Sequence, residues 1–242
     1  MMPVCLITGS AGKLGSALCR ALTPTHQIAA VYRKKLPGFP SQLRGVIDLD
    51  GPREARKAAN VPFCVQGDLT RPEDVRRIVE VVLARFGQID VIIASAADTR
   101  YHGKLLELSF DSAKVEAQLI TNCVAPLQLA SAVFQKSWKD QRAANREFNR
   151  CVVNVSSISG LHVFPGNGQA FYSASKAALN FLTRHLASEL TSYCVRANSV
   201  CPSRFPDSVS TEKVVTRILD VIASRVTGQV LEVTRDSEQA SI

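Results

Sequence analysis

Val4-Cys5-Leu6-Ile7-Thr8-Gly9-Ser10-Ala11-Gly12-Lys13-Leu14-Gly15 is the stretch from which the fold can be read. Val4–Thr8 has the length and apolar content of a buried strand. Three glycines, Gly9, Gly12 and Gly15, follow at even spacing, and a segment of helical period opens at Lys13. Glycine suits such a turn for three reasons: the turn is tight, the backbone must approach a pyrophosphate, and the helix must pack close to the sheet. The N-terminus of the helix then offers unpaired N–H groups and partial positive charge to phosphate. Glycines at this spacing are a weak signal alone. Between a buried strand and a helix, at the head of an alternating chain, they are a strong one.

The alternation continues along all 242 residues. Strand-length apolar runs stand at Val4–Thr8, Gln27–Tyr32, Pro62–Val65, Val91–Ser95, Cys151–Val155, Val195–Val200 and Val230–Val233. Helical periods fill 13–22, 71–86, 112–138, 171–191 and 211–224, the third with a start signal at Asp111 or Ser112. The pattern predicts an α/β fold, a mostly parallel seven-stranded sheet flanked by helices on both faces. Residues 34–60 and 138–150 are expected to be loops or insertions, the latter prolonging a helix or forming a polar surface arm. No linker divides residues 1–242, so one domain is expected.

Twenty-nine Lys and Arg against 21 Asp and Glu give a net charge of +8. Residues 1–60 hold nine of the cations and three of the acids, an excess of six. No aromatic-rich basic motif accompanies it, so a phosphate-bearing small molecule is expected rather than nucleic acid. No run approaches the ~18 uninterrupted apolar residues of a membrane span. The first residues read as a strand, not a leader, and a cytoplasmic location is expected. The seven cysteines are odd in number and never in C-x-x-C spacing, which argues against a disulfide framework or a zinc site.

The second strand ends in Arg33-Lys34-Lys35, where an NAD site usually carries an acid for the ribose hydroxyls. Arg33 can clamp a 2′-phosphate with two donors, and Lys13 can add a second charge. NADP(H) is therefore preferred over NAD(H), the alternative being a solvated basic surface. Asp68 after the third strand suits an adenine amino group, a helix cap, or both.

Tyr172-Ser173-Ala174-Ser175-Lys176 opens a helical segment, and residues four apart share a face. A nearby ammonium favours the phenolate, as does the positive nicotinamide of an oxidised cofactor, and together they are expected to pull the Tyr172 pKa below ~10. That suits Tyr172 to giving a proton to a carbonyl and taking one from an alcohol. Chance supplies this spacing readily, so its weight comes from its surroundings. Cys151–Val155 runs into Ser156-Ser157, and ligands bind at strand C-termini in open α/β sheets. Ser157 is placed on the substrate oxygen. Pro126 lacks the N–H that would bond the Asn122 carbonyl four residues back. That carbonyl is expected to hold a water that reaches Lys176.

In this order the glycine turn, Asp68, Asn122, Ser157, Tyr172 and Lys176 resemble the short-chain dehydrogenase/reductase family over nearly the whole chain. The most similar members are ketoreductases of the 3-oxoacyl carrier-protein reductase type. The resemblance implies a single Rossmann-like, doubly wound domain and a catalytic set of Asn122, Ser157, Tyr172 and Lys176, with Lys176 also on the nicotinamide ribose. It implies cofactor contacts from Gly9, Ser10, Gly12, Lys13, Leu14, Gly15, Arg33, Asp68, Leu69, Ala96, Tyr172 and Pro202, no metal, a small or carrier-bound carbonyl substrate, and a homodimer or homotetramer. Four departures stand out. The glycine spacing is that of longer members. Ala94-Ser95-Ala96-Ala97 replaces Asn-Asn-Ala-Gly. Pro202-Ser203 replaces Pro-Gly, without the threonine that usually follows. The substrate lid is cut to residues 203–210. A cofactor-binding sensor with little catalysis and an epimerase- or dehydratase-type relative are the alternatives.

Overall fold

A computed structural model describes residues 2–43, 60–106 and 111–236. Seven strands form one parallel sheet in the order β3-β2-β1-β4-β5-β6-β7. They are β1 Val4–Thr8, β2 Gln27–Tyr32, β3 Phe63–Gln66, β4 Val91–Ala94, β5 Cys151–Val155, β6 Arg196–Pro202 and β7 Val230–Val233. The helices are α1 Lys13–Leu22, α2 Pro72–Phe86, α3 Ser112–Leu119, α4 Ala125–Val133, α5 Arg142–Glu147, α6 Ala170–Thr191 and α7 Thr211–Ala223.

Successive strand residues point to opposite faces, and the core divides accordingly. Cys5 and Ile7 of β1 join α1 and α7 in one buried cluster, while Val4 and Leu6 join α2, α4 and α6 in the other. With both faces covered, the central strands are apolar throughout: β1, β4 and β5 are buried at every position. The order reverses between β1, which leads to β2 on one side, and β4 on the other, and ligands bind at such a switch point beyond the C-terminal ends of the strands.

The expected loop at 34–60 is described only as far as residue 43; residues 44–59 lie outside the described residues. Its first part runs along the sheet edge. The Gln42 side chain donates to the Cys64 carbonyl at 3.0 Å and accepts from the Cys64 N–H at 2.8 Å, as a neighbouring strand would.

Residues 138–150 are exposed at 139–143, 146 and 147 and carry α5, but the segment is also anchored to the interior. Trp138, Asn145 and Arg150 are buried. Arg150 donates to Asp90 Oδ1 at 3.0 Å, Gln141 Oε1 at 2.9 Å and Asn145 Oδ1 at 2.8 Å, and Asp90 Oδ2 accepts from the Val4 N–H at 2.8 Å. Polar composition suggested solvent, but these side chains satisfy one another beneath the N-terminal ends of β1, β4 and β5.

The stretch 112–138 is helical throughout, and by length and composition it could cross a membrane. In this fold its apolar residues Leu129, Ala130, Val133 and Trp138 pack in the core. It is not one regular α-helix: π-helical turns interrupt it at Ile120–Val124 and Phe134–Trp138.

Candidate active site

Two connected cavities run along the C-terminal ends of the strands. One of about 690 Å³ is lined by the glycine turn, the end of β2, Gly67–Leu69 and the loop after β4. The other, of about 540 Å³, is lined by Ser156–Ser159, Tyr172, Lys176 and residues 202–205. Leu14, Ser95, Ala97, Thr99 and Phe205 belong to both, so the two form a single groove.

The glycine turn builds the first half. Gly9 has φ of +69°, and a Cβ there would sit 2.8 Å from the backbone of Ala96. A Cβ on Gly15 would run into the Gly9 carbonyl. Those two glycines let the loops after β1 and β4 and the start of α1 meet. Gly12 caps α1 in an extended conformation and is exposed, with no side chain between its backbone and the groove. Lys13, Leu14, Leu69 and Ala96 line the same half. Ser10 does not. It is fully buried, and its backbone N–H and hydroxyl both donate to the Val31 carbonyl, at 3.1 and 2.9 Å. Its expected cofactor contact is corrected: the side chain ties the turn to β2, and Ala11 lines the groove instead.

Arg33, Lys34 and Lys35 line the groove beside Lys13. Arg33 lies 3.9 Å from Asp68 Oδ2, both side chains partly exposed. Such a contact is weak and exchangeable. Asp68 does not cap α2, whose N-cap is Arg71. Its Oδ1 accepts from the Thr70 N–H at 3.0 Å and hydroxyl at 2.8 Å, while the Asp68 N–H donates to Asp74 Oδ2 at 2.8 Å. This Asx turn fixes the carboxylate at the groove wall.

In the second half β5 and α6 bring Ser157, Tyr172 and Lys176 together. The short 3₁₀ turn Ile158–Gly160 presses against α6, where a Cβ on Gly160 would lie 2.7 Å from the Lys176 backbone. Gly160 is a packing position that the sequence reading passed over, and it lets the turn after β5 sit against the Lys176 backbone. The Ser157 hydroxyl lies on the same wall as the Tyr172 phenol and lowers its pKa, and it accepts from the Ser159 N–H at 3.1 Å. Lys176 is 1% exposed, and its ammonium donates to the Val155 carbonyl at 2.8 Å.

The electrostatics differ from expectation. The Tyr172 pKa is raised, because burial outweighs the Ser157 hydrogen bond that lowers it. Lys176 is not among the causes. Its own charge is disfavoured by burial, which pushes its pKa down to about 8.

Asn122 sits in the π-helical turn, fully buried. There the Ala125 N–H bonds five residues back, to the Ile120 carbonyl, and Pro126 offers no N–H at all. The helix continues through Pro126, with its regular α-helical bonding replaced by the π-helical turn just before it. Asn122 works through its side chain, which sequence reasoning did not foresee. Its Oδ1 accepts from the Asp98 N–H at 2.6 Å, and its Nδ2 donates to the Asp98 carbonyl at 2.8 Å and to Ser175 Oγ at 3.1 Å. Ser175 Oγ in turn donates to the Tyr172 carbonyl at 2.6 Å. Asn122 thus ties the loop after β4 to the turn of α6 that carries Tyr172. Asp98 also pairs with Arg100 at the groove mouth, which holds its carboxyl below the usual range.

Pro202 and Ser203 close the inner wall at the end of β6. Residues 203–210 form a compact turn rather than a long cover, with Ser208 N–H bonded to the Arg204 carbonyl at 2.7 Å. Phe205, unremarked in the sequence, stands where the two cavities join.

A family model described as short chain dehydrogenase matches residues 3–217. Nodulation protein G of Azospirillum brasilense is 30% identical over 202 residues, covering 82% of this chain and 73% of that protein. The 3-oxoacyl-acyl-carrier-protein reductase FabG of Thermotoga maritima is 28% identical over 226 residues, covering 92% and 82%. Among solved structures, an NADH-dependent reductase A1-R′ in complex with NAD superposes with a TM-score of 0.79 at 23% identity, over 97% of this chain and 96% of that one.

Proposed function

The chain belongs to the short-chain dehydrogenase family of oxidoreductases, and from that premise we propose that it is an NADP(H)-dependent ketoreductase with Tyr172 as its acid and base. The observation that carries the reading is the convergence of Ser157, Tyr172 and a buried Lys176 on one wall, in the same groove as a cluster of cations.

The residues present suit a dinucleotide. A glycine cradle that a Cβ at Gly9 or Gly15 would fill faces the helix N-terminus, as a pyrophosphate requires. Arg33, Lys34, Lys35 and Lys13 stand around the adenosine end without an acid at the end of β2, which suits a 2′-phosphate. When bound, the reduced nicotinamide would supply a hydride to the carbonyl carbon. Ser157 would hold the carbonyl oxygen, and Tyr172 would give it a proton as negative charge develops. The raised pKa of Tyr172 keeps that proton in place at neutral pH, which suits reduction. Lys176 spends one of its three donors on Val155 and has two left for the cofactor ribose and the phenol. With Pro126 giving no hydrogen bond, the Asn122 carbonyl would hold the water that returns a proton through Lys176.

Ile158 and Phe164 give the outer groove an apolar wall, which supports a substrate with an apolar chain, as in the acyl-carrier reductase relative. The test is NADPH consumption by the wild type and Tyr172→Phe against ketones and 3-oxoacyl thioesters. The variant should lose about 10²- to 10⁴-fold in kcat while still binding NADPH; undiminished turnover would overturn the assignment. Arg33→Asp should weaken NADPH by about 10- to 100-fold and NADH far less. Equal losses would refute the preference for NADP(H).

A further inference from the structure

The half of the groove that holds Tyr172 carries a charge that the reduction does not use. Among the described residues, two cations line it, Lys176 and Arg204, and no acid does. The adenosine half, by contrast, has Asp68 and Asp98 among its cations. Lys176 is buried and donates to the Val155 carbonyl. Arg204 is exposed. Its backbone carbonyl accepts from the N–H groups of Ser208 at 2.7 Å and Val209 at 3.2 Å, so the root of the side chain is held in a compact turn. Its guanidinium has no hydrogen bond or ion pair among the described residues.

An arginine without a partner is ordinary on a convex surface. On a cavity wall that bears no acid its field is not cancelled, and it draws anions into the cavity. Position separates this cation from those that suit the cofactor. Gly9, Gly12 and Lys13 line the adenosine half and not the Tyr172 half, and for Arg204 the reverse holds. A pyrophosphate over the glycine turn is therefore met by Lys13 and the start of α1, which leaves Arg204 facing what enters beside Tyr172. A guanidinium fork matches an oxyanion with two parallel donors. Asn167 and Gln169 line the same half and carry amide donors, while Ile158 and Phe164 give it an apolar stretch.

We infer that Arg204 holds an oxyanion of the substrate, a carboxylate or a phosphate, so that the chain selects carbonyl compounds with an anionic end joined to the reacting carbon by an apolar link. This rests on the reading of the groove as a ketoreductase site and states which ketones it takes. Steady-state kinetics with NADPH compares oxo carboxylic acids of increasing chain length with their methyl esters, and 3-oxoacyl pantetheine with and without its 4′-phosphate. The proteins are the wild type, Arg204→Ala, Arg204→Lys and Arg204→Glu. The wild type should favour the anionic member of at least one pair: the acids if carboxylate is the group held, the phosphorylated thioester if phosphate is. In Arg204→Ala that preference should shrink about 5- to 20-fold, through KM rather than kcat. Lysine should keep part of the preference and glutamate should reverse it. Added salt should erode it in the wild type and not in the alanine variant. A wild type with no preference in either pair overturns the inference and leaves the ketoreductase reading standing. So does a loss in the alanine variant that is equal for anionic and neutral members, or a weaker affinity for NADP⁺ by calorimetry with the preference intact. A wild type that reduces none of these compounds, and binds none of them beside NADP⁺, overturns both readings.

Discussion

Lys176 carries the cost of its position in its own titration. It is 1% exposed with a pKa pushed down to about 8, whereas a lysine in the unfolded chain holds its proton to about 10.4. Below pH 8 the folded chain must keep an ammonium out of water, and both states are protonated. Between about 8 and 10.4 the unfolded chain binds a proton that the folded chain does not, so stability rises with pH across that window. Compared with Lys176→Met, the wild type should gain up to roughly 3 kcal/mol between pH 7 and 10.5. Urea unfolding of both proteins at a series of pH values measures the gain. A difference that stays flat with pH would show that Lys176 is not titrating in the buried site. The sequence gives Lys176 and its spacing from Tyr172. It does not give which influence on the phenol prevails, because burial is set by β5, β6 and the turn at Gly160, all remote in the chain.

At the scale of elements, the interrupted helix from Ser112 to Trp138 is the connection between loop and catalytic turn. Asn122→Ala removes one acceptor and two donations, and it leaves the Asp98 N–H and carbonyl without those partners. The expected cost is about 2–4 kcal/mol, read as a lower melting temperature, with kcat falling as Tyr172 and the loop after β4 lose their common anchor. A melting temperature unchanged from the wild type would show that the tether is dispensable. The elements themselves were largely legible. Strands β1, β2 and β5 coincide with the apolar runs, because a strand covered on both faces has to be apolar along its length, and β7 coincides as an edge strand despite its exposed Glu232. Pro126 marked the missing N–H opposite the Asn122 carbonyl but not the π-helical turn before it. The role of the Asn122 side chain was not announced, since its partner Asp98 follows a different strand and nothing in local spacing links the two. Ser10 misled for a related reason: proximity in sequence to a phosphate-binding turn does not say which way a hydroxyl faces.

Across the whole molecule, the two edges of the sheet do different work. The groove lies along the C-terminal ends of the strands. Asp90 and Arg150, 0% and 2% exposed and 3.0 Å apart, sit just before β4 and β5 at the opposite edge. Removing one partner of a buried pair leaves the other charge uncompensated, at a cost of about 3–5 kcal/mol. Asp90→Ala should therefore lower the denaturation midpoint sharply while the folded fraction keeps its affinity for NADP⁺. A matching loss of cofactor affinity would mean that the edges are coupled. The polar composition of 138–150 hid this network, because a sequence window cannot show that Gln141 and Asn145 accept from Arg150 while Arg150 pairs with an aspartate 60 residues upstream.

The single tryptophan of the chain, Trp138, is fully buried, and its indole N–H donates to the Ile89 carbonyl at 2.7 Å, next to Asp90. The protein therefore carries one built-in fluorophore, lodged at the stabilising edge and away from the groove. Its emission is a gauge of folding that ligands in the groove do not touch directly. It is also a lone optical donor for any chromophore that settles at the far edge: a reduced nicotinamide can accept its energy, an oxidised one cannot. Redox state in the groove would then be visible, without any label, as brightness at the other end of the strands.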